Sequence, residues 1–262
     1  MSEAALQVRG LSYSINGVAI LRNISFSVAA GSYVSIVGPN GAGKTTLLKC
    51  LNRILNGTAD EVQIEGKALA DYAQAELAKV MGYVPQGGTD QVPFLAYEFV
   101  MMGRYPHLSP FTSPTATDHA AVLQALETAG AADLAGRQCA TLSGGERQKI
   151  LVAAALAQEA GIFLLDEPTT FLDPHHQDDV LRLLTRLNKD CGATIVSVTH
   201  DINAAVLSSD DVIALRDGQV VFQGPPEALT SGTVLADLFD QEFHFVEHPV
   251  NGKRLIVPLA VR

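Results

Sequence analysis

A glycine-rich run that ends in a lysine and two threonines is the clearest chemical feature of the sequence. The run is Gly38-Pro39-Asn40-Gly41-Ala42-Gly43-Lys44-Thr45-Thr46. A buried-strand pattern over residues 33–37 precedes it, and apolar residues at helical spacing follow it over residues 46–55. Between a strand and a helix, such a turn presents backbone N–H groups and a helix N-terminus to phosphate. The sequence therefore predicts a site for a nucleoside triphosphate.

The chemistry of such a loop gives its polar residues separate tasks. The Lys44 ammonium is expected to reach the β- and γ-phosphates, and the Thr45 hydroxyl is expected to ligate Mg²⁺. A glycine-rich turn with a chance lysine is the alternative, and the consistent flanking elements argue against it. The candidate nucleotide-binding residues of this run are Gly38, Asn40, Gly41, Gly43, Lys44, Thr45 and Thr46.

Two adjacent carboxylates follow a second buried-strand pattern. Residues 161–165 lead directly into Asp166 and Glu167. Ligands of open α/β sheets collect at the carboxyl ends of the strands. Because neighbouring strand residues point to opposite faces, the two carboxylates cannot share one role. We expect one to hold Mg²⁺ and the other to polarise a water for attack; a solvated acidic loop is the alternative.

A second helix start with phosphate-binding character lies at residues 141–148. Ser143 and Glu146 have the spacing of a capping box. Gly144 and Gly145 fall in the first helical turn, where each glycine is disfavoured by about 1 kcal/mol relative to alanine. An ordinary N-cap is the alternative, but the glycines favour close approach of a ligand. The chain is thus expected to carry two phosphate-binding surfaces.

Further polar residues stand at the ends of strand patterns. Gln86 follows residues 81–84, and His200 follows residues 193–199 and precedes Asp201, the natural N-cap of the next helix. Either side chain could simply be solvated. Tyr13 lies in a hairpin pattern over residues 6–28, with Asn16-Gly17 as its turn. It is either a half-buried strand aromatic or a residue that stacks on a purine.

The remaining elements complete an α/β pattern. Helical patterns over residues 97–103 and 118–130 flank a Pro- and Ser-rich stretch, which predicts a helical lobe inserted into an α/β core. Asp118 lies early in its helix, where it suits the helix dipole. The pair His175-His176 opens a helix after Asp173, and we expect it to be solvated because adjacent helical residues do not share a face.

The composition of the chain indicates which kinds of molecule it is expected to bind. The chain has 262 residues, 47% of them hydrophobic, and a net charge of −10 without a basic block. These values indicate a globular protein and argue against nucleic acid or anionic lipid as the main partner. Three widely spaced cysteines fit a reducing, cytosolic setting. The N-terminus has no signal-peptide pattern and the longest apolar run, residues 150–157, is too short to span a bilayer, so a membrane role would require a partner.

Taken together, these motifs resemble the ATP-binding cassette (ABC) ATPases across nearly the whole chain. The matching segments are residues 38–45 (Walker A), Gln86 (Q-loop), 142–146 (signature), 164–168 (Walker B), 172–173 (D-loop) and His200 (switch histidine). The resemblance implies a P-loop NTPase (RecA-like) core with an antiparallel β-subdomain and an inserted α-helical subdomain at about 88–160. It implies an ABC ATPase domain over residues 1–235, with a tail, 236–262, packed on it.

The family resemblance also implies a dimer and a role for each site residue. Two copies would pair head to tail, with each ATP between one Walker A loop and the partner's signature helix. The remaining nucleotide-binding residues would be Tyr13, stacked on adenine, with Ser143, Gly144, Gly145 and Asp173. Thr45, Gln86 and Asp166 would ligate Mg²⁺. Glu167 would be the general base, Gln86 would sense the metal, and His200 would contact the γ-phosphate.

Three segments, 100–107, 167–173 and 248–258, are similar to the ATPases of type II importers. Those importers move iron–siderophore complexes, haem or cobalamin, using a permease dimer and a substrate-binding protein. The resemblance implies a peripheral subunit at the cytoplasmic face of the inner membrane, docked through the region around 92–112. Alternatives are an importer of another metal chelate or an oxyanion, a soluble ABC protein acting as a nucleotide-gated scaffold, and a P-loop kinase. Glu146 and Ala154 depart from the family's common glutamine and arginine.

Overall fold

The structure is a computed structural model that describes residues 4–87, 93–109 and 112–257. The strands are β1 (Ala4–Ile15), β2 (Val18–Ala29), β3 (Tyr33–Val37), β4 (Glu61–Ile64), β5 (Lys67–Ala68), β6 (Met81–Val84), β7 (Ile162–Asp166), β8 (Thr194–Val198), β9 (Asp211–Arg216), β10 (Gln219–Gly224), β11 (His244–Glu247) and β12 (Arg254–Val257). The helices are α1 (Lys44–Leu51), α2 (Gln74–Val80), α3 (Ala96–Met102), α4 (Ala116–Thr128), α5 (Gly144–Ala157), α6 (Pro174–Lys189), α7 (Ile202–Ser208), α8 (Pro226–Leu229) and α9 (Val234–Phe239). Within these described ranges, every helix is too short or too polar to cross a membrane.

The chain divides into two compact units. The first contains the residues up to Asp71 together with those from Thr194 onward, and the second runs from Tyr72 to Ala193. The bounds expected for an inserted subdomain, 88–160, and for a tail, 236–262, include residues outside the described ranges. Those bounds therefore stay predictions.

An antiparallel sheet with the strand order β2-β1-β4-β5 forms one part of the first unit. The turn between β1 and β2 has φ values of 51° at Asn16 and 79° at Gly17. Positive φ at both central residues is what a type I′ turn requires, so the turn is confirmed where the Asn-Gly pair predicts it. The pairing places Tyr13 opposite Leu21.

Parallel strands form the other part of the first unit. Strand β3 pairs in parallel with both β8 and β9, and β10 pairs antiparallel with β9. Every residue of β3 and β8 is buried, as expected for central strands covered on both faces. Helix α1 follows β3 but ends at Leu51 rather than near residue 55, because Arg53 adopts a left-handed φ of 56°.

The second unit contains two further parallel strands and the helices between them. Strand β6 pairs with β7, with Met81 opposite Ile162 and Val84 opposite Leu165. Helix α5 begins with the capping box predicted from Ser143 and Glu146. The helix predicted over residues 118–130 is α4, which begins two residues earlier because Thr115 serves as its N-cap.

A buried ion pair ties α4 to the end of α5. Arg104 is only 3% exposed; its Nε donates to Asp118 Oδ1 at 3.1 Å and its Nη1 donates to the Ala157 carbonyl oxygen at 2.7 Å. The same nitrogen contacts Glu159 Oε2 at 2.7 Å. Asp118 also accepts hydrogen bonds from Thr115, so it completes a capping box as well as the ion pair. The sequence pattern predicted its place in the first turn but not its buried cationic partner.

The Asp118 carboxyl is expected to make the protein sensitive to acid. Hydrogen bonds from Thr115, together with Arg104, lower its pKa to about 2, below the value of about 3.9 in an unfolded chain. A carboxyl with a lowered pKa stabilises the fold above its unfolded pKa and stops doing so as the pH falls through its folded pKa. The stability that depends on Asp118 should therefore be lost between about pH 4 and about pH 2.

Urea unfolding of the wild type and Asp118→Asn tests this expectation. The wild type should be the more stable at about pH 7, and the difference should close as the pH falls to about 2. The other carboxyl groups are common to both proteins and cancel in the comparison. A difference that stays constant over the whole range would contradict the prediction.

Candidate functional site

The loop between β3 and α1 is shaped to bind phosphate. A Cβ at Gly38 would lie 2.1 Å from the Leu215 carbonyl oxygen, so a side chain there would collide with the backbone of β9. Gly43 is the N-cap of α1 and has a φ of 97°. Within the described residues, no side chain caps α1 and no acidic residue lies in its first turn. The positive end of the helix dipole is thus available to an anion.

Lys44 carries its charge inside this loop. The residue is 6% exposed, and its Nζ donates to the carbonyl oxygens of Gly38 at 2.8 Å and Pro39 at 3.0 Å. Asn40 and Gly41 form the exposed tip of the loop. Thr45 and Thr46 follow, half-buried, in the first turn of α1. The structure therefore places the sequence-predicted residues of this run on the loop between β3 and α1 and on the first turn of α1.

His200 lies at the same edge of the sheet as this loop. Because Ile36 of β3 stands opposite Val198 of β8, the two strands end level with each other, and Gly38 and His200 each follow one of them. His200 is exposed, and Asp201 caps α7 by accepting a hydrogen bond from the N–H of Ala204 at 2.9 Å. The N-cap role predicted for Asp201 is confirmed.

Tyr13 pairs with a strand that contacts the start of α1. It is half-buried and stands opposite Leu21 in the β1–β2 pairing. A Cβ at Gly43 would lie 2.8 Å from Leu21 Cδ2 and 3.1 Å from the Ile20 carbonyl oxygen. The antiparallel sheet thus contacts the phosphate loop at Ile20 and Leu21, and Leu21 is the residue paired with Tyr13. The stacking of Tyr13 on adenine stays a prediction.

In the second unit, the two carboxylates after β7 have different surroundings. Asp166 is 2% exposed, and its Oδ2 accepts a hydrogen bond from the Tyr83 hydroxyl at 3.2 Å. Glu167 is partly exposed, and its Oε2 accepts from Gln86 Nε2 at 2.7 Å and from the Thr170 hydroxyl at 2.9 Å. Pairing of β6 with β7 brings Gln86 to this carboxylate. The two carboxylates therefore differ in burial and in hydrogen-bond partners, while the separate roles expected for them stay predictions.

Glu167 also has an unusual backbone conformation. Its φ is 50°, in the left-handed region that few non-glycine residues adopt. Such conformations cost free energy and concentrate at functional sites, where the surrounding structure holds them. Here Gln86 and Thr170 hold the side chain from two directions. The strained backbone and the two hydrogen bonds fix the carboxylate at the strand end.

Two residues of this site were missed by sequence reasoning. Tyr83 donates to Asp166, and burial, followed by the Asp166 charge, raises the pKa of its hydroxyl above the usual value of 10.0, so it remains a hydrogen-bond donor. Thr170 lies three residues after Glu167, a spacing at which a hydroxyl can reach back to the preceding turn. The only sequence feature that could have indicated a role for Tyr83 is weaker: it lies on β6, the strand that precedes Gln86.

Ser143 caps α5 through a reciprocal pair of hydrogen bonds. Its N–H donates to Glu146 Oε2 at 2.8 Å, and its Oγ accepts from the Glu146 N–H at 3.4 Å. Arg137 Nη1 donates to Glu146 Oε1 at 2.7 Å. The hydrogen bonds from Ser143, then Arg137, hold the pKa of the Glu146 carboxyl below its usual range. Glu146 is thus a charged cap with a cationic partner, Arg137, that the sequence pattern did not reveal.

Gly145 packs against the start of α6. A Cβ at Gly145 would lie 2.2 Å from His176 Cδ2. The His176 Nδ1 lies 2.7 Å from Asp173 Oδ2, and Asp173 Oδ1 accepts from the His176 N–H at 3.0 Å as the N-cap of α6. The solvation predicted for the histidine pair is therefore right for His175, whose side chain is 83% exposed, and wrong for His176, which contacts the signature turn.

Each unit carries oxygen-bearing side chains of the kind that bind divalent cations. Thr45 has a hydroxyl in the first unit, and Gln86 and Asp166 have an amide oxygen and a carboxylate in the second. Hard oxygen ligands of this kind are those that Mg²⁺ prefers. Gln86 directs its Nε2 to Glu167, which leaves its carbonyl oxygen for a cation. Among the described residues, no cluster of three His, Cys, Asp or Glu side chains could hold a metal ion instead.

Comparison with known proteins agrees with these features. A family model described as ABC transporter matches residues 21–170. The ferric enterobactin transport ATP-binding protein FepC of Escherichia coli (strain K12) is 37% identical over 262 residues, covering 99% of this chain and 97% of that protein. The hemin import ATP-binding protein HmuV of Nocardia farcinica is 38% identical over 262 residues, covering 98% and 90%. The cobalamin import ATP-binding protein BtuD of Halobacterium salinarum (strain R1) is 35% identical over 257 residues, covering 98% and 64%.

Solved structures show the same similarity. A transporter described as of the metal-chelate type, in an inward-facing conformation, has a chain with a TM-score of 0.85 and 29% identity, covering 98% of both chains. A dimeric ATP-binding cassette with bound ADP and Pi has a TM-score of 0.72 and 29% identity, covering 84% of this chain and 98% of that one. The P-loop NTPase fold expected from the sequence is confirmed. The chain therefore belongs to the ABC transporter family, and it is one of the family's ATP-hydrolysing cassettes.

Proposed function

We propose that this chain is the ATP-hydrolysing subunit of an importer that takes up an iron–siderophore complex, haem or cobalamin through a membrane permease. The observation that carries this proposal is the similarity to FepC over 99% of the chain. That similarity extends beyond residues 21–170, where the general family model matches, into the C-terminal segment. Relatives named for hemin import and cobalamin import also cover 98% of the chain, which supports the substrate class.

The proposed assembly contains two copies of this chain on a permease dimer. The copies pair head to tail at the cytoplasmic face of the inner membrane, and a substrate-binding protein delivers the cargo to the permease. The dimeric cassette among the solved structures supports the pairing. Met102 and Tyr105, which are 46% and 80% exposed, offer an apolar surface for a permease. They lie in the proposed docking region around 92–112, of which residues 92, 110 and 111 are outside the described part of the chain.

The reaction is the attack of water on the γ-phosphate of ATP. In this proposal Lys44 and the N-terminus of α1 bind the phosphates, while Tyr13 stacks on adenine. His200 contacts the γ-phosphate, and Ser143 and Gly145 contact the phosphate held by the other copy. Thr45, Gln86 and Asp166 would hold Mg²⁺, whose charge would offset that of the phosphate oxygens. Positioning and charge stabilisation supply most of the rate acceleration.

The surroundings of the two carboxylates support Glu167, rather than Asp166, as the general base. Asp166 is buried and accepts a hydrogen bond from Tyr83. Glu167 is partly exposed, so water can reach it, and Gln86 and Thr170 orient its carboxylate. A general base must lie within hydrogen-bond reach of the water whose proton it takes. We assign proton abstraction to Glu167 and metal binding to Asp166.

Uptake by cells that lack this protein tests the proposed substrate class. Cells are supplied in turn with a labelled iron–siderophore complex, haem and cobalamin, and uptake of one of them is expected to fall to background. The wild-type gene should restore that uptake, whereas Glu167→Gln, expressed to the same level, should not. Unchanged uptake of all the compounds would contradict the proposal. A cassette that stays in the soluble fraction, with no permease co-purifying from detergent extracts, would favour the scaffold alternative.

A further inference from the structure

The segment 244–257 forms a C-terminal hairpin of β11 and β12 with an internally bonded loop. His248 Nδ1 accepts hydrogen bonds from the N–H groups of Val250 at 3.3 Å and Asn251 at 3.4 Å. Gly252 takes a φ of 70°, which a glycine adopts without strain. The histidine and the glycine of this segment therefore shape a loop, and the loop presents Lys253 to a neighbouring element.

That neighbouring element is α7. Asn203 Nδ2 donates to the Ile256 carbonyl oxygen at 3.0 Å, and the Ile256 N–H donates to Asn203 Oδ1 at 2.8 Å. The Asn203 amide thus both donates to and accepts from the backbone of Ile256, as a residue of a neighbouring strand would. At the other end of the helix, Lys253 Nζ donates to the carbonyl oxygens of Val206 at 2.8 Å and Leu207 at 3.3 Å. A cation at a helix C-terminus is favourable for the helix dipole.

Helix α7 depends on such contacts for its position. Its seven residues are too few to form a stable helix without tertiary contacts. Ala205 packs in a buried cluster with Leu235 and Leu238, and Phe245 and Ile256 of the hairpin pack against the same cluster. The hairpin therefore holds α7 by hydrogen bonds near both of its ends and by apolar packing along one side.

His200 lies directly before this helix. Asp201 caps α7, and Asn203 lies three residues after His200, within one helical turn of it. A cavity of about 450 Å³ is lined by His200 and Asn203 and by Phe243 and Ile256. Asn203 lies on both the helix and the cavity wall, so α7 gives the hairpin a route to His200.

We propose that Asn203 is a positioning residue, through which the C-terminal hairpin sets the position of α7 and hence of His200. The inference rests on the proposed function, in which His200 contacts the γ-phosphate. Without the two hydrogen bonds to Ile256, α7 can shift and carry the imidazole away from the reacting phosphate. A displacement of about 1 Å in a catalytic group can lower a rate by about a hundredfold.

The test measures ATP hydrolysis and ATP binding by full-length Asn203→Ala. We expect kcat to fall roughly tenfold or more and the dissociation constant of ATP to change by less than about twofold, because Asn203 bonds the backbone of β12 and is not one of the residues that bind the phosphates. Gln223→Ala is the matched control. Gln223 Nε2 donates to the Ser27 carbonyl oxygen at 2.7 Å, another amide-to-backbone contact of the first unit, and its loss should leave kcat unchanged.

A double-mutant cycle shows whether the effect runs through His200. Once His200→Ala has lowered kcat, adding Asn203→Ala should cause little further loss. A full additional loss, or an unchanged kcat in Asn203→Ala, would overturn the inference. So would a loss of ATP affinity equal to the loss of rate.

Lys253→Met supplies a second variant if Asn203→Ala does not fold. Methionine is about as long as the aliphatic part of lysine but lacks the ammonium that binds the carbonyl oxygens at the C-terminal end of α7. Thermal unfolding verifies that the variant folds. The inference is supported if Lys253→Met lowers kcat in the wild-type background but not in the His200→Ala background. An unchanged kcat in Lys253→Met would overturn it. A wild-type protein that hydrolyses no ATP, or a His200→Ala variant with normal kcat, would instead contradict the proposed function.

Discussion

Glu167→Gln is expected to bind ATP and to dimerise, yet to hydrolyse ATP roughly 10²–10⁴-fold more slowly than the wild type. Glutamine keeps the size of the side chain but cannot accept a proton from water. One carboxylate oxygen accepts hydrogen bonds from Gln86 and Thr170, and an amide oxygen can accept the same bonds. The variant should therefore keep the geometry of the site and lose the proton acceptor. Single-turnover hydrolysis and gel filtration with ATP measure the two properties separately.

Glu65→Gln is the matched control for this experiment. Glu65 also has a left-handed backbone, with a φ of 49°, and it is exposed in the turn between β4 and β5. The same substitution there should leave hydrolysis unchanged. It removes one negative charge from the protein without removing the proposed base, so it shows whether the loss of charge alone affects the rate. Near-normal turnover by Glu167→Gln would show that another group accepts the proton.

A mixture of two inactive variants is expected to recover hydrolysis. Lys44→Ala removes the ammonium of the phosphate loop, and Ser143→Arg places a long cation where the signature helix begins, so each homodimer should be inactive. In a head-to-tail heterodimer, one site combines the intact Lys44 of one chain with the intact Ser143 of the other. With random pairing and independent sites, an equal mixture should reach about one quarter of the wild-type rate.

The controls for the mixture are each variant alone and a measure of heterodimer formation. Differently tagged chains show by co-purification how many heterodimers are present. Ser143→Arg also removes an N-cap, a change worth about 1 kcal/mol, so circular dichroism must show that α5 and the fold persist. If heterodimers form and the mixture has no activity, the head-to-tail pairing of Lys44 with Ser143 is wrong.

Local patterns in the sequence predicted many elements of this fold. The Asn16-Gly17 turn, the Ser143–Glu146 capping box and the Asp201 N-cap all appear where the sequence places them. Each depends on residues only a few positions apart, whose types favour one backbone geometry. By contrast, the predicted end of α1 was wrong. The apolar spacing continues past Leu51, but the helix ends there because the backbone turns at Arg53.

Contacts between distant residues could not be predicted from local patterns. Asp118 has the spacing of a capping residue, but nothing near it in the sequence reveals that Arg104 is buried beside it. Tyr83 and Asp166 are 83 residues apart and meet because β6 pairs with β7. The identities of the site residues came from motif resemblance, whereas their hydrogen-bond partners required the three-dimensional structure.

The first unit is formed by two segments that are far apart in the sequence, and this separation has a consequence for folding during synthesis. Strand β3, which leads into the phosphate loop, pairs with β8 and β9, and the hydrogen bond from Gly31 N–H to Thr194 Oγ1 joins residues 163 positions apart. At about 5–20 residues per second, a ribosome needs roughly 8–30 s to make the intervening chain. The β1–β2 hairpin can form early, but both edges of β3 wait for partners. The sheet that supports the nucleotide-binding loop is therefore completed only after β8 and β9 have been synthesised.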